Sequence, residues 1–195
     1  MSSPTEVLPF NAQIGAEVRC GDLRTLDDAT FKEVRHAFLD NLVLLIRGQS
    51  LTDDELVAFG RRFGELTAAA PVHVGQKARE RPEIAIIRKH EDSGHHALYL
   101  GRRPYSYVNG LSLNESETLL DAVWAHATQP QFTWHHQWQL GDVLIWDNRC
   151  TMHRRDAFDP TAQRIMHRTQ CKGLPIVGST TEDLAHLKPH ARAAG

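Results

Sequence analysis

Cysteine is scarce. Cys20, Cys150 and Cys171 are an odd count with no Cys-x-x-Cys spacing, which argues against a disulfide framework and fits a reducing compartment. Long apolar runs are lacking as well. No stretch approaches the roughly 20 residues that a membrane helix needs, and residues 1–15 have neither the basic start nor the apolar centre of a secretory leader. Neither sign of charge dominates: the formal net charge is -2 over 195 residues, so no nucleic-acid or membrane partner is expected. These absences together predict a cytoplasmic protein. What is present is ordinary for a globular chain, 41% hydrophobic and 24% charged, and long enough for one domain with a sizeable core. Residues 1–195 are read as that domain. The exception is histidine, present twelve times, which directs attention to metal chemistry.

Periodicity outlines the elements. Asp27, Asp28 and Thr30 offer caps for a helix whose apolar positions Phe31, Val34, Ala37 and Phe38 follow the helical repeat. Leu42 to Ile46 is a continuous apolar run that reads as a buried strand. Thr52 and Glu55 form a capping box, followed by a helix with Leu56, Phe59 and Phe63 on one face that stops at Gly64. Residues 67–82 read as loop. Strands are expected over 83–87 and 97–100, and a helix capped by Asn114 and Glu117 carries Leu119, Leu120, Val123, Trp124 and Ala127. Phe132 to Trp138 alternates like a strand, Gly141-Asp142 is a turn, and Val143 to Trp146 is a strand. A last strand is expected from about Arg164 to Cys171, with one short helix in the polar tail. The class is α+β, with an antiparallel arrangement favoured. Six strands fall short of the eight or so that a jelly roll uses.

The chemistry concentrates in GDVLIWDNRCTMHRRDAFDPTAQRIMHRTQCKG, residues 141–173. His153 follows a strand and precedes a loop. On a strand, Arg164, Met166 and Arg168 share one face and Ile165, His167 and Thr169 the other. Two guanidiniums on an inner face require anions, and the planar fork of arginine suits carboxylates. Four strand residues span about 13 Å, which favours two separate anionic groups. The alternative is that both arginines face solvent or pair with Asp156 or Asp159.

These segments resemble a known family. KHEDSGHHALYLGRR, QFTWHHQW, GDVLIWDNRCTMHR and RIMHRTQ, together with LVLLIRGQSLTDDELVAFGRRFGEL at residues 42–66, are similar to the taurine and 2,4-dichlorophenoxyacetate (TauD/TfdA) family of Fe(II)- and 2-oxoglutarate-dependent dioxygenases. The resemblance implies a double-stranded β-helix, a jelly-roll core with flanking helices. It implies His153 as an iron ligand, Arg164 on the far carboxylate of 2-oxoglutarate, and Arg168 on the anionic group of the substrate or helping to hold the cosubstrate. It also implies Fe(II) and 2-oxoglutarate as cofactors, with O2 and a small anionic substrate as partners and a homo-oligomer allowed. Two histidines and a carboxylate on one octahedral face would leave three positions for cosubstrate and oxygen.

The resemblance also exposes a gap. The family's other two ligands come as His-x-Asp in a WHxD-like stretch, expected between Ile87 and Arg88, and no such stretch is there. It is omitted from the numbering, deleted, or lost in a natural degenerate form. The chain does contain His90-Glu91-Asp92, but in a polar turn that the family places after its ligands. His90 is therefore expected near the substrate; if the gap is a real deletion, His90 and Asp92 are what could replace the pair. Family members acting on taurine carry a histidine before the proline matching Pro71, where this chain has Ala70. Within an expected substrate class that is aryloxyalkanoate- or sulfonate-like, that favours a bulkier, less polar anion such as an aryloxyalkanoate. The competing reading is a non-catalytic jelly-roll protein that binds small anions without iron.

Overall fold

The computed structural model describes residues 5–67, 85–100, 106–157, 159, 161 and 165–185. The Asp27 carboxylate accepts from Thr30 N–H at 2.8 Å and opens α1 (Asp28–Asn41). The helix turns Phe31, Val34, Ala37 and Phe38 inward, as their spacing predicts. It ends at Leu42, in the left-handed region at φ 65°, whose N–H donates back to Phe38 O at 2.8 Å. The next four residues form β3 (Val43–Ile46), buried on both faces.

Two strands too short to be read from the sequence complete this half. β1 (Glu6–Pro9) pairs antiparallel with β2 (Ala16–Arg19). β2 pairs in parallel with β3 through Ala16–Leu44 and Glu17–Leu45. β3 pairs antiparallel with β6 (Val143–Trp146), Val43 facing Trp146 and Ile46 facing Val143. The order β1-β2-β3-β6 makes the sheet mixed, where an antiparallel one was expected. The reason is α1: parallel neighbours need a long crossover between them, and a helix is the usual one.

α2 (Asp53–Arg61) begins with the expected reciprocal capping by Thr52 and Glu55. It brings Phe59 and Phe63 against Phe31 and Phe38, with edge-to-face contacts of 5.0–6.3 Å between centroids. With Ala16, Val18, Val34, Leu44 and Ile46 these residues form the core. Its centre therefore lies between α1, α2 and the face of β2 and β3.

A two-stranded sheet, β4 (Ile87–Lys89) and β5 (His96–Leu98), places Arg88 opposite Ala97. β4 carries the backbone straight through residues 87 and 88. α3 (Leu113–Ala127) is capped two residues earlier than expected, by Ser112 and Glu115 instead of Asn114 and Glu117. Both pairs fit the capping pattern. The earlier one aims Ser116 inward, where its hydroxyl accepts from Val108 N–H at 2.8 Å. The expected short tail helix is α4 (Thr181–Leu184). Among the described residues no helix is long and apolar enough to cross a membrane.

Two expected strands are absent. Residues 130–132 form a 3-10 turn, and 133–139 join no ladder. The alternation is still visible in burial, since Phe132, Trp134 and His136 are half-buried while Thr133, His135 and Gln137 are exposed. Side-chain pattern alone makes no strand where the backbone finds no partner. Residues 165–170 likewise form no strand. This stretch touches the rest through the Leu66–Cys171 bridge and the bond from Thr67 N–H to Gln170 O at 2.8 Å. The expected loop over 67–82, apart from Thr67, and the start of the strand expected at 83 lie outside the described residues, as do Ala70, Pro71 and Arg164.

Candidate functional site

The apolar run of β6 ends at Trp146, and the next residue, Asp147, is buried with 4% of its surface exposed. A lone carboxylate there would be costly, and the local sequence supplies its partners. Arg149, two residues on, places Nε at 2.8 Å from Asp147 Oδ1 and Nη2 at 2.6 Å from Oδ2. Arg149 N–H donates to Oδ1 at 2.9 Å. His90, from the turn after β4, brings Nε2 to 3.0 Å from Oδ2. Burial alone would raise the Asp147 carboxyl, but the bonds from Arg149 and His90 outweigh it and hold it below the usual carboxylate range. The same contact with Asp147 raises the Arg149 guanidinium further.

His90 is itself only 2% exposed. Ser93 N–H, which can only donate, lies 3.2 Å from Nδ1, and Ser93 Oγ lies 3.0 Å from it. Nδ1 is therefore the acceptor, and Nε2 carries the proton toward Asp147. The tight turn that permits this has Gly94 at φ 70° and a bond from Gly94 N–H to His90 O at 2.8 Å. Arg149 also reaches Asp92 at 2.7 Å, and Arg88, 2% exposed, contacts Glu91. The β4–β5 hairpin is thus tied to the end of β6 by a string of alternating charges.

A metal was the sequence's leading expectation, and among the described residues one group of donors converges. His90 Nε2, Asp147 Oδ2 and Cys150 Sγ lie within 4.8 Å of one another. The group does not fit a ferrous ion. Burial, with Asp147 nearby, pushes the Cys150 thiol up to about 12, which works against the thiolate that a ligating cysteine supplies. Both oxygens of Asp147 are already bonded to a guanidinium. His90 has no spare ring nitrogen.

The sequence-derived residues are dispersed. His153 is exposed, with its ring 5.1 Å from that of Trp146, and it is not among the converging donors. Arg168 is exposed instead of facing an inner strand surface, because residues 165–170 join no sheet. Arg164 lies outside the described residues. His90, expected near a substrate, is instead buried against Asp147, and Asp92 holds Arg149. The sequence reading left Arg149 without a role and took Asp147, with Trp146, only to shape the sheet behind the iron. The signal was available: an acid and a base two residues apart, directly after an apolar strand.

A second imidazole, half-buried, lies at the other end of β6. His136 packs between Trp134 and Trp138 at 5.1 and 4.4 Å between centroids. Its Nε2 is 3.0 Å from Asp142 Oδ2, and its Nδ1 is buried without a bond. Burial lowers its pKa, and Asp142 offsets part of that.

The chain matches the family model described as taurine catabolism dioxygenase TauD, TfdA family over residues 5–85 and 72–170. It is similar to the alpha-ketoglutarate-dependent 2,4-dichlorophenoxyacetate dioxygenase of Burkholderia sp. (strain RASC), 40% identical over 45% of this chain and 29% of the relative. It is also similar to the (S)-phenoxypropionate/alpha-ketoglutarate-dioxygenase of Delftia acidovorans, 27% identical over 87% of this chain and 54% of that enzyme. The chain thus spans about half the length, or less, of these relatives. Among solved structures, a taurine dioxygenase from Burkholderia xenovorans superimposes with a TM-score of 0.65 at 26% identity, covering 75% of this chain and 80% of that one. AAD-2 in complex with Mn(II) and N-oxalylglycine shares the fold, with a TM-score of 0.78 at 20% identity over 90% of this chain and 100% of that one.

Proposed function

Because the chain belongs to the taurine catabolism dioxygenase TauD, TfdA family, we propose that it serves the Fe(II)- and 2-oxoglutarate-dependent oxidation of a small anionic organic substrate, aryloxyalkanoate-like in preference to taurine. One observation carries the reading. The two matched parts of the sequence meet side by side in the β3–β6 ladder, and the turn leaving β6 leads to His153. Relatives named for 2,4-dichlorophenoxyacetate and phenoxypropionate support the substrate class, as does Ala70 before Pro71. The jelly-roll core is part of this proposal, supported by the solved dioxygenases that superimpose on the chain.

The residues divide the work of recognition. His153 is a metal ligand. Arg164 grips the far carboxylate of 2-oxoglutarate, where a guanidinium fork gives two parallel bonds. Arg168 meets the anionic group of the substrate. Among the described residues no second imidazole and carboxylate join His153. We place the family's His-x-Asp pair in a stretch that this sequence does not carry between residues 87 and 88. Iron is then held weakly, and turnover requires Fe(II) in excess.

The test is oxygen-dependent succinate formation, measured at rising Fe(II) over a panel of aryloxyacids, sulfonates and sulfate esters. Succinate release that tracks Fe(II), is stimulated by an aryloxyacid and is abolished by a chelator is expected. Turnover with taurine alone overturns the substrate class. Uptake of 2-oxoglutarate with no succinate at any Fe(II) concentration overturns the enzyme and leaves an anion-binding protein. In the active protein, Arg164→Ala raises the KM for 2-oxoglutarate by roughly 10–100-fold, the equivalent of a charged hydrogen bond or two. Arg168→Ala raises the KM for the aryloxyacid instead.

A further inference from the structure

The one donor cluster in the described residues that could have been a metal centre is built for another purpose. We infer that His90 is a positioning residue: through Asp147 it fixes the turn that presents His153, and the His90–Asp147–Cys150 group is a lock that holds no metal. The inference rests on the proposed role of His153 but is read from contacts that stand apart from it.

The argument runs outward from Asp147. Its carboxylate is held by His90 on one side and Arg149 on the other. Its carbonyl oxygen accepts from Cys150 N–H at 3.2 Å, Thr151 N–H at 2.9 Å and Thr151 Oγ1 at 2.7 Å. Residues 147–151 are therefore wound into a turn around one fixed peptide group. His153 is two residues beyond Thr151. Its ring rests against Trp146, whose Nε1 donates to Asn148 Oδ1 at 2.8 Å. Each contact that sets the direction of the chain toward His153 begins at Asp147 or its immediate neighbours. Asp147 in turn is oriented by a histidine 57 positions earlier in the chain.

The imidazole suits this task better than a second guanidinium. It donates one proton, along one direction, and its other nitrogen is locked by the Ser93 backbone, so the ring cannot flip without losing both bonds. Arg149 supplies charge, and His90 supplies direction. His90 also belongs to the β4–β5 hairpin, while Asp147 follows β6. The lock therefore couples the pose of that hairpin to the pose of His153.

The experiment compares the whole chain with His90→Ala and His90→Gln, whose amide can donate at a similar reach. Imidazole nitrogen NMR of the parent protein should show His90 with its proton on Nε2. In His90→Ala, exchange of the Cys150 and Thr151 amides should accelerate at least tenfold and the ring resonances of His153 should move, with Leu44 and Leu45 unaffected. His90→Gln should restore both. Titration with Co(II) should give no thiolate charge-transfer band from Cys150. Unchanged amides and an unmoved His153 in His90→Ala would overturn the positioning role. A Co(II)–thiolate band lost in His90→Ala would overturn the lock and make the cluster a metal site. None of these readouts needs turnover, so an inactive chain would sink the proposed oxygenase and leave this result standing.

Discussion

Asp147 shows how one buried charge can organise its surroundings. Its carboxyl is held below the ordinary range, so the folded state binds the carboxylate proton less readily than the unfolded chain does. The stability this confers is fully present above the unfolded value of about 4 and is lost as pH falls through the folded one. Asp147→Asn keeps an acceptor but removes the charge. It should cost about 2 kcal/mol at neutral pH, less than a fully buried pair would, because Arg149 keeps Asp92 and is partly exposed. It should also flatten the acid limb of a urea-denaturation series. His136 acts in the same direction, but through its neutral form instead of its charged one. Its pKa is lowered by burial, so the unfolded chain takes up the proton first, and stability declines as pH falls through about 6.5. His136→Phe should reduce the dependence of the melting temperature on pH between 7 and 5. Asp142 limits the size of the change, whereas the positive charge of Arg47 adds to it.

At the scale of elements, a glycine holds β6 in register. Gly141 has φ 84°, and an added Cβ would meet Gln49 O at 2.6 Å. Its carbonyl accepts from Gln49 N–H at 2.8 Å, beside the Arg47–Asp142 ion pair. Gly141→Ala should therefore lower stability by about 2 kcal/mol or more in thermal unfolding, from left-handed strain and displaced backbone together. Elements that announce themselves locally were legible: α1 from Asp27 and the spacing of Phe31, Val34 and Phe38; α2 from Thr52 and Glu55; β3 and β6 from unbroken apolar runs. β1 and β2 were not, because four residues with Pro9 at one end carry no periodic signal and exist through their neighbours. Phe132–Trp138 errs the other way, since its alternation records burial and not pairing. For the site, the sequence marked His90 and His153 but not what joins them. That link is a contact between residues 90 and 147, far apart in the chain and marked by no local pattern.

Across the described residues, the apolar core is concentrated in the N-terminal half. The buried apolar residues lie almost entirely between Ala16 and Phe59, whereas Leu140, Ile165, Leu174 and Val177 are exposed. Amides of β3 should accordingly exchange only through global unfolding, while those of 165–170, outside any ladder, should exchange through small local openings several kcal/mol lower in free energy. Native-state hydrogen exchange would show this as two separate classes of protection.

The pairing of Ile46 with Val143 has a consequence for ancestry. A sheet centre assembled from strands about a hundred positions apart pays for a long tether only logarithmically, so halving or doubling the intervening chain alters the closure entropy by roughly 0.6 kcal/mol. Insertion or excision of a sizeable block between these strands is therefore nearly invisible to the ladder. An ancestor could shed such a block and still inherit the same architectural keel.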